Sequence, residues 1–352
     1  MVLLLSEADV ARAISMRDTI DRLEDVFRQY AQGAALVTPR TSAQIPRGGG
    51  AFRVMSAILP ESGFFGLKSL TGYPGRRLPG ETYFVILLFS GETGALRAVI
   101  AANQLTGIRT GAATGLAARY LARPQSHVAG IFGAGVQARY QVAALKAVCP
   151  LEELRVFDPD PVKAAAFAKA MADEFDVRPV VVTQPRDAVA GCDLIVAATS
   201  APAPVFDGAW LEEGTHVSGI GANSPAKKEL DALTFGRSQK VVVDFREQVL
   251  EEAGDLRHAI ETGTMTEGAI HADLAQLAAG QKPGRDNERE ITLFKSVGVA
   301  LEDVATAAFV YQQALAQGLG EELDLLGDQT VPVRADARRR VSRGHSVEEV
   351  PS

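Results

Sequence analysis

The stretch from Val128 to Asp158, VAGIFGAGVQARYQVAALKAVCPLEELRVFD, constrains this chain more than any other. Its short apolar run, Val128 to Phe132, reads as a buried parallel strand. Gly133 and Gly135 follow at once, and the alanine-rich segment Ala138 to Val148 then reads as a helix packed on a sheet. A second strand, Leu154 to Phe157, ends at Asp158. Strand, glycine turn, helix, strand and acid is the order of a dinucleotide-binding unit. Glycines permit the tight turn and let a pyrophosphate approach the helix N-terminus. An acid at the tip of the second strand is placed to hydrogen-bond the ribose hydroxyls and to repel a ribose phosphate, so NAD is the expected cofactor. Pro159 and Asp160, rather than an arginine, follow it.

The motif departs from the three-glycine form: Ala138 stands at the third position. Alanine is still small enough for a close helix–strand contact. The alternative is an ordinary βαβ unit with a glycine turn.

At 352 residues the chain suggests two domains and a sizeable core. The net charge of −7, with no broad basic block, argues against nucleic acid as a partner. No apolar run is long enough to span a membrane. Cys149 and Cys192 sit in apolar contexts without metal-ligand spacing, so both are expected reduced in a cytoplasmic protein. The five histidines offer no paired spacing, and no metal is expected. His216 borders a strand, either in the cofactor cleft or at the surface.

Before the dinucleotide unit, the pattern predicts a short strand to Leu5, a helix capped by Ser6 and an amphipathic helix from Ser15 to Ala34. Thr38 to Arg47 contains Pro39 and Arg40 and is followed by a loop with Gly48, Gly49 and Gly50. Strands follow at Phe52–Leu59, Phe64–Leu70, Tyr83–Phe89 and Leu96–Ile100, forming a largely antiparallel or mixed sheet. Leu105 to Ala122 reads as a buried helix despite three internal glycines. After Asp158, alternating helices and strands reach Ile291–Ser296, with Ile260 to Gly280 read as helix and loop. A helix over Leu301–Gln317 returns to the first domain. Two cations stand out: Lys68 inside an apolar strand, which needs an anionic partner or a path to water, and Arg109 among small residues, aimed at a pocket or held in a structural ion pair.

GLK at Lys68, LTGIRTGAATGLAARYLA around Arg109, GAGVQA, Thr199-Ser200, GIGANSPAKKELD and FKSVG together resemble the ornithine cyclodeaminase and μ-crystallin family from Leu3 to about Gly320. The resemblance implies an α/β fold in which a Rossmann-type dinucleotide domain, residues 124–300, is inserted into a mixed α+β substrate and dimerisation domain, residues 1–123 with 301–335. Residues 336–352 are expected to form a flexible tail. It further implies a homodimer acting on a small 2-imino or 2-amino acid with NAD. Arg40, Lys68 and Arg109 match the family's carboxylate-binding positions, and Val297 a residue near substrate. Gly133, Gly135, Val136, Gln137, Asp158, Thr199, Ile220, Asn223, Lys227 and Ser296 match cofactor-contact positions, as does Arg109.

Asn223 departs from the cyclodeaminases of that family, which carry an aspartate there as acid/base. An amide neither takes up nor gives a proton in that role, though it can orient substrate or nicotinamide. The expected function is therefore NADH-dependent reduction of a 2-imino acid to the 2-amino acid, with Lys68, Arg109 and Asn223 at the reacting centre. The alternatives are cyclodeamination without net NAD consumption and a noncatalytic ligand-binding protein. Arg53, Arg76 and Arg77 are additional cations that suit a second substrate carboxylate, and they favour iminosuccinate, reduced to aspartate.

Overall fold

The computed structural model describes residues 1–46, 49–72, 83–325 and 327. Arg76, Arg77 and the tail 336–352 lie outside these residues. Two eight-stranded sheets organise the chain. The first runs, in spatial order, Glu321–Leu323, Val2–Leu5, Leu96–Ala101, Phe84–Ser90, Phe64–Gly72, Gly50–Leu59 and Leu36–Val37, with Thr41–Ile45 also paired to Gly50–Leu59. Only Val2–Leu5 with Leu96–Ala101 is parallel, so the sheet is mixed. The strands Leu36–Val37 and Thr41–Ile45 flank Pro39, ahead of the glycines at 48–50, in a stretch where the sequence pattern marks no strand. Their pairing with the long strand Gly50–Leu59 overrides the weak local pattern.

The second sheet is parallel throughout. Its order is Arg178–Val181, Glu153–Phe157, Val128–Phe132, Leu194–Ala197, His216–Gly219, Thr292–Lys295, Lys240–Val243 and Ile270–Asp273. The chain winds outward on both sides of Val128–Phe132, which opens a crevice at the carboxyl ends of the central strands. Ile270–Asp273 lies within a segment expected to be helix and loop. It joins the edge as a strand and is followed directly by the short helix Leu274–Ala278, capped by Asp273.

The helix Asn103–Leu121 joins the two halves. It has no distinct polar face and is almost wholly buried, as a helix between two packed layers should be. Gly107, Gly111 and Gly115 recur one turn apart on the face toward its neighbours. A Cβ would fall 2.1 Å from the Tyr140 ring at Gly107, 2.4 Å from the Tyr140 carbonyl at Gly111 and 2.6 Å from Ile20 at Gly115. These glycines allow the backbone to touch the dinucleotide helix Val136–Val148 and the amphipathic helix Met16–Ala31. The helix N-terminus is held by Glu7, whose carboxylate accepts from Asn103 N and Gln104 N.

The helix Ala300–Gln317 returns to the inner face of the first sheet, where Gly66, Lys68, Ile86, Leu88, Ala98 and Ile100 point. Among the described residues no helix is long and apolar enough to cross a membrane.

Candidate active site

The glycine turn forms first. Gly133 adopts φ +94°, a conformation suited to glycine. A Cβ there would lie 2.8 Å from the Ala198 carbonyl and 3.0 Å from Thr199 Cγ2. Gly135 caps the helix Val136–Val148 without any side-chain hydrogen bond, and its α-carbon faces open space. The free N–H groups of the first helical turn thus front a groove of about 850 Å³. Gly133, Gly135, Asp158 and Thr199 line that groove together. Asp158 is fixed at its rim: Oδ2 accepts from Ala134 N and Oδ1 from Asp160 N, each at 2.9 Å. An uncapped helix end, a glycine cradle and an anchored carboxylate fit a dinucleotide.

The loops after Leu194–Ala197 and His216–Gly219 are tied together by Glu229, which is fully buried. Its Oε2 accepts from Thr199 N at 3.0 Å and Thr199 Oγ1 at 3.1 Å; Oε1 accepts from Gly221 N and, at 3.0 Å, from Ala222 N. Behind these loops, the buried ammonium of Lys295 lies 3.2 Å from Asp255. Sequence reading missed Glu229. Its signal was one of two acids, with Asp231, in the KKELD run, indistinguishable there from a surface charge.

A second cavity, of about 310 Å³, opens beside the helix N-terminus. Val136, Gln137, Ile220, Asn223, Ser296 and Val297 line it, and so do the cations Arg40, Arg53, Lys68 and Arg109. Residues drawn from across the chain therefore meet at one place. Lys227 lines neither cavity; its Nζ donates to Asn223 Oδ1 at 3.3 Å.

Each of the three family-matched cations has a protein anion. Lys68 donates to Asp303 at 2.6 Å. Arg109 places Nη1 2.6 Å from Glu302 and Nε 2.9 Å from Asp303. Arg40 pairs with Glu252 through Nη1, and its Nη2 donates to the carbonyls of Val297 at 3.1 Å and Gly298 at 2.8 Å. Both ends of the Arg40 guanidinium are thus engaged within the protein. The Arg53 guanidinium, by contrast, makes no hydrogen bond or direct ion pair among the described residues. The turn 296–298 is clamped by Asp244 Oδ2, which accepts from Ser296 Oγ, Val297 N and Gly298 N at 2.6–2.9 Å.

Burial dominates the electrostatics. It pushes Lys68 down to about 8, with Arg109 adding to the effect and Asp303 opposing it. It pushes the Glu302 carboxyl up to about 7 against the pull of Arg109. The carboxylate partners carried one sequence signal: Glu302-Asp303 is an acidic doublet inside an otherwise apolar helix.

His216 is neither at the surface nor in the cleft. It is buried between Thr292 Oγ1 at 2.9 Å and Ser218 Oγ at 3.2 Å, and burial lowers it to about 3, so it is a neutral core residue. Cys149 and Cys192 are both free and buried.

A glycine-turn groove beside a cation-lined cavity, at the carboxyl ends of a parallel sheet, defines a dinucleotide-dependent α/β oxidoreductase fold with a second, mixed domain. The chain belongs to the Ornithine cyclodeaminase/mu-crystallin family, whose sequence model matches residues 1–318. Alanine dehydrogenase of Archaeoglobus fulgidus is 36% identical over 323 residues, covering 91% of this chain and 98% of that protein. The structure of Thermococcus litoralis Delta(1)-pyrroline-2-carboxylate reductase in complex with NADH and L-proline superposes with a TM-score of 0.88 at 40% identity. It covers 92% of this chain and 100% of that one. The iminosuccinate reductase of Paracoccus denitrificans, in complex with NAD+, superposes at 0.83 with 26% identity, covering 92% and 99%.

Proposed function

We propose that this protein is an NADH-dependent reductase of small 2-imino acids, yielding the 2-amino acid, with iminosuccinate to aspartate as the favoured case. The observation that carries this reading is the meeting of Lys68, Arg109 and Arg53 with Val136 and Gln137 in one cavity. The groove fits NADH, which when bound would supply the hydride for the imine carbon, while the proton on nitrogen comes from water or from Lys68.

The chain's own residues bind and orient. An ammonium has three N–H donors, so Lys68 keeps donors beyond the one given to Asp303, and Arg109 keeps Nη2. These two grip the carboxylate common to 2-imino acids. Asn223 orients the imino nitrogen or the nicotinamide amide without exchanging a proton. Asp158 receives the adenosine ribose hydroxyls, and Thr199, Ile220 and Ser296 line the cofactor's path. Arg40 shapes the substrate wall through Val297 and Gly298 rather than offering a free pair of donors. Arg53, whose guanidinium makes no direct ion pair among the described residues, is the group for a second carboxylate; that is what favours iminosuccinate.

The reading assigns residues 1–123 with 301–335 to substrate binding and dimerisation and 124–300 to NAD. The homodimer is supported by the open face of the first sheet. There Phe65, Leu67, Val85, Leu87, Phe89 and Val99 alternate with inward residues and remain only half-buried. The two free, buried cysteines accord with a reducing cytoplasm.

The test is NADH consumption by the purified protein with oxaloacetate plus ammonia, pyruvate plus ammonia, pyrroline-2-carboxylate and piperideine-2-carboxylate. Turnover of at least one is expected. Absence of turnover with all four would overturn the reading.

A further inference from the structure

Arg40 and Arg53 line the same cavity, yet among the described residues only Arg40 makes a direct ion pair. That anion, Glu252, ends the helix Arg246–Glu252 and its side chain is 17% exposed. It lies within electrostatic reach of both guanidiniums. The groups facing it are Arg40, from the segment before the strand Thr41–Ile45; Arg53, from Gly50–Leu59; Asp244, after Lys240–Val243; and the Gln248 amide on its own helix. Two cations here meet two carboxylates.

This local balance decides what a substrate's charge costs. A single carboxylate held by Lys68 and Arg109 leaves it unchanged. A second carboxylate brought to Arg53 adds a third negative charge to two positive ones in a partly buried place. Like charges so placed favour protonation of one member. Building on the imino-acid reading above, we propose that Glu252 is a specificity-determining residue: its carboxylate makes admission of a second substrate carboxylate proton-linked, and so sets the preference between dicarboxylic and monocarboxylic 2-imino acids. Burial already raises the Glu252 carboxyl above the ordinary range, against the pull of Arg40 and Arg53. Glu302, whose carboxyl is also raised and which lies beside this cavity, faces Arg109 and acts on the carboxylate that both substrate classes share, so it cancels in a ratio.

The experiment measures kcat/KM with NADH for oxaloacetate plus ammonium and for pyruvate plus ammonium, in wild type and Glu252→Gln, between about pH 6 and 9. In wild type the ratio of the first to the second should fall as pH rises, by up to about tenfold per pH unit for one linked proton. In Glu252→Gln the ratio should be higher at neutral pH and flat. A pH-independent wild-type ratio, or a variant ratio that tracks wild type, overturns the proposal. If Glu252→Gln does not fold, the wild-type slope alone decides. If neither mixture is turned over while a cyclic imine is, Arg53 has no second carboxylate to receive and the proposal falls, with the imino-acid reading intact. If no imine at all is reduced, the reading beneath it falls as well.

Discussion

Lys68 Nζ sits 2.6 Å from Asp303 Oδ1, with the two side chains 1% and 0% exposed. The pair joins the strand Phe64–Gly72 to the helix Ala300–Gln317 across the core of the first sheet. A buried ammonium is tolerable only with such a partner. Replacing Asp303 with alanine strands the cation, and the expected loss is about 3–5 kcal/mol of stability, read by denaturant unfolding.

The same pair predicts a pH limb. Lys68 is held down to about 8, and its charged form is the one that grips a carboxylate. Affinity for the 2-imino acid should therefore fall as pH rises through about 8, while NADH affinity does not. Stability moves the other way. Between about 8 and the ordinary lysine value of 10.5, the folded chain sheds this proton before the unfolded chain does, so this group's contribution rises with pH. A substrate KM that stays level across that range would remove Lys68 from carboxylate binding.

Asp158 should set cofactor choice. Its carboxylate is fixed at the groove rim by Ala134 N and Asp160 N, where a ribose phosphate would meet its charge. Asp158→Ser is expected to shift the NADH-to-NADPH ratio of kcat/KM toward NADPH by about tenfold or more, equivalent to about 1.4 kcal/mol. Equal constants for the two cofactors in wild type would defeat the assignment.

Arg53→Leu should discriminate among substrates. Reduction in the oxaloacetate–ammonia mixture is expected to drop by about tenfold or more relative to the pyruvate–ammonia mixture. An equal effect on both would return Arg53 to a general electrostatic role and weaken the case for iminosuccinate.

The open face of the first sheet gives a prediction about assembly. Leu87→Lys places a charge at the centre of its apolar surface, where it should convert a dimer to monomers in analytical ultracentrifugation. A wild-type monomer at micromolar concentration would contradict the dimer directly.

The dinucleotide unit was legible in the sequence because its determinants are local. Gly133 must turn with positive φ, Ala138 must be small, and Asp158 must end a strand, and all three lie within 26 consecutive residues. Lys68 and Arg109 announced themselves as charges in apolar surroundings, whereas the close approach that Gly107, Gly111 and Gly115 allow appeared only in the fold. Which anions answer those cations was decided by tertiary structure. Asp303 is 235 residues from Lys68 and Glu252 is 212 from Arg40, separations at which no periodicity carries information. The strand Thr41–Ile45 likewise exists because Gly50–Leu59 offers it an edge, and Glu229 is a ligand for two loops only once both strands beneath them are parallel neighbours. Sequence by itself determined the elements whose conformation is set by their own side chains. Folding determined the charge balance of the cavity, because Coulomb energy and desolvation depend on distance in space and on burial, and neither is written along the chain.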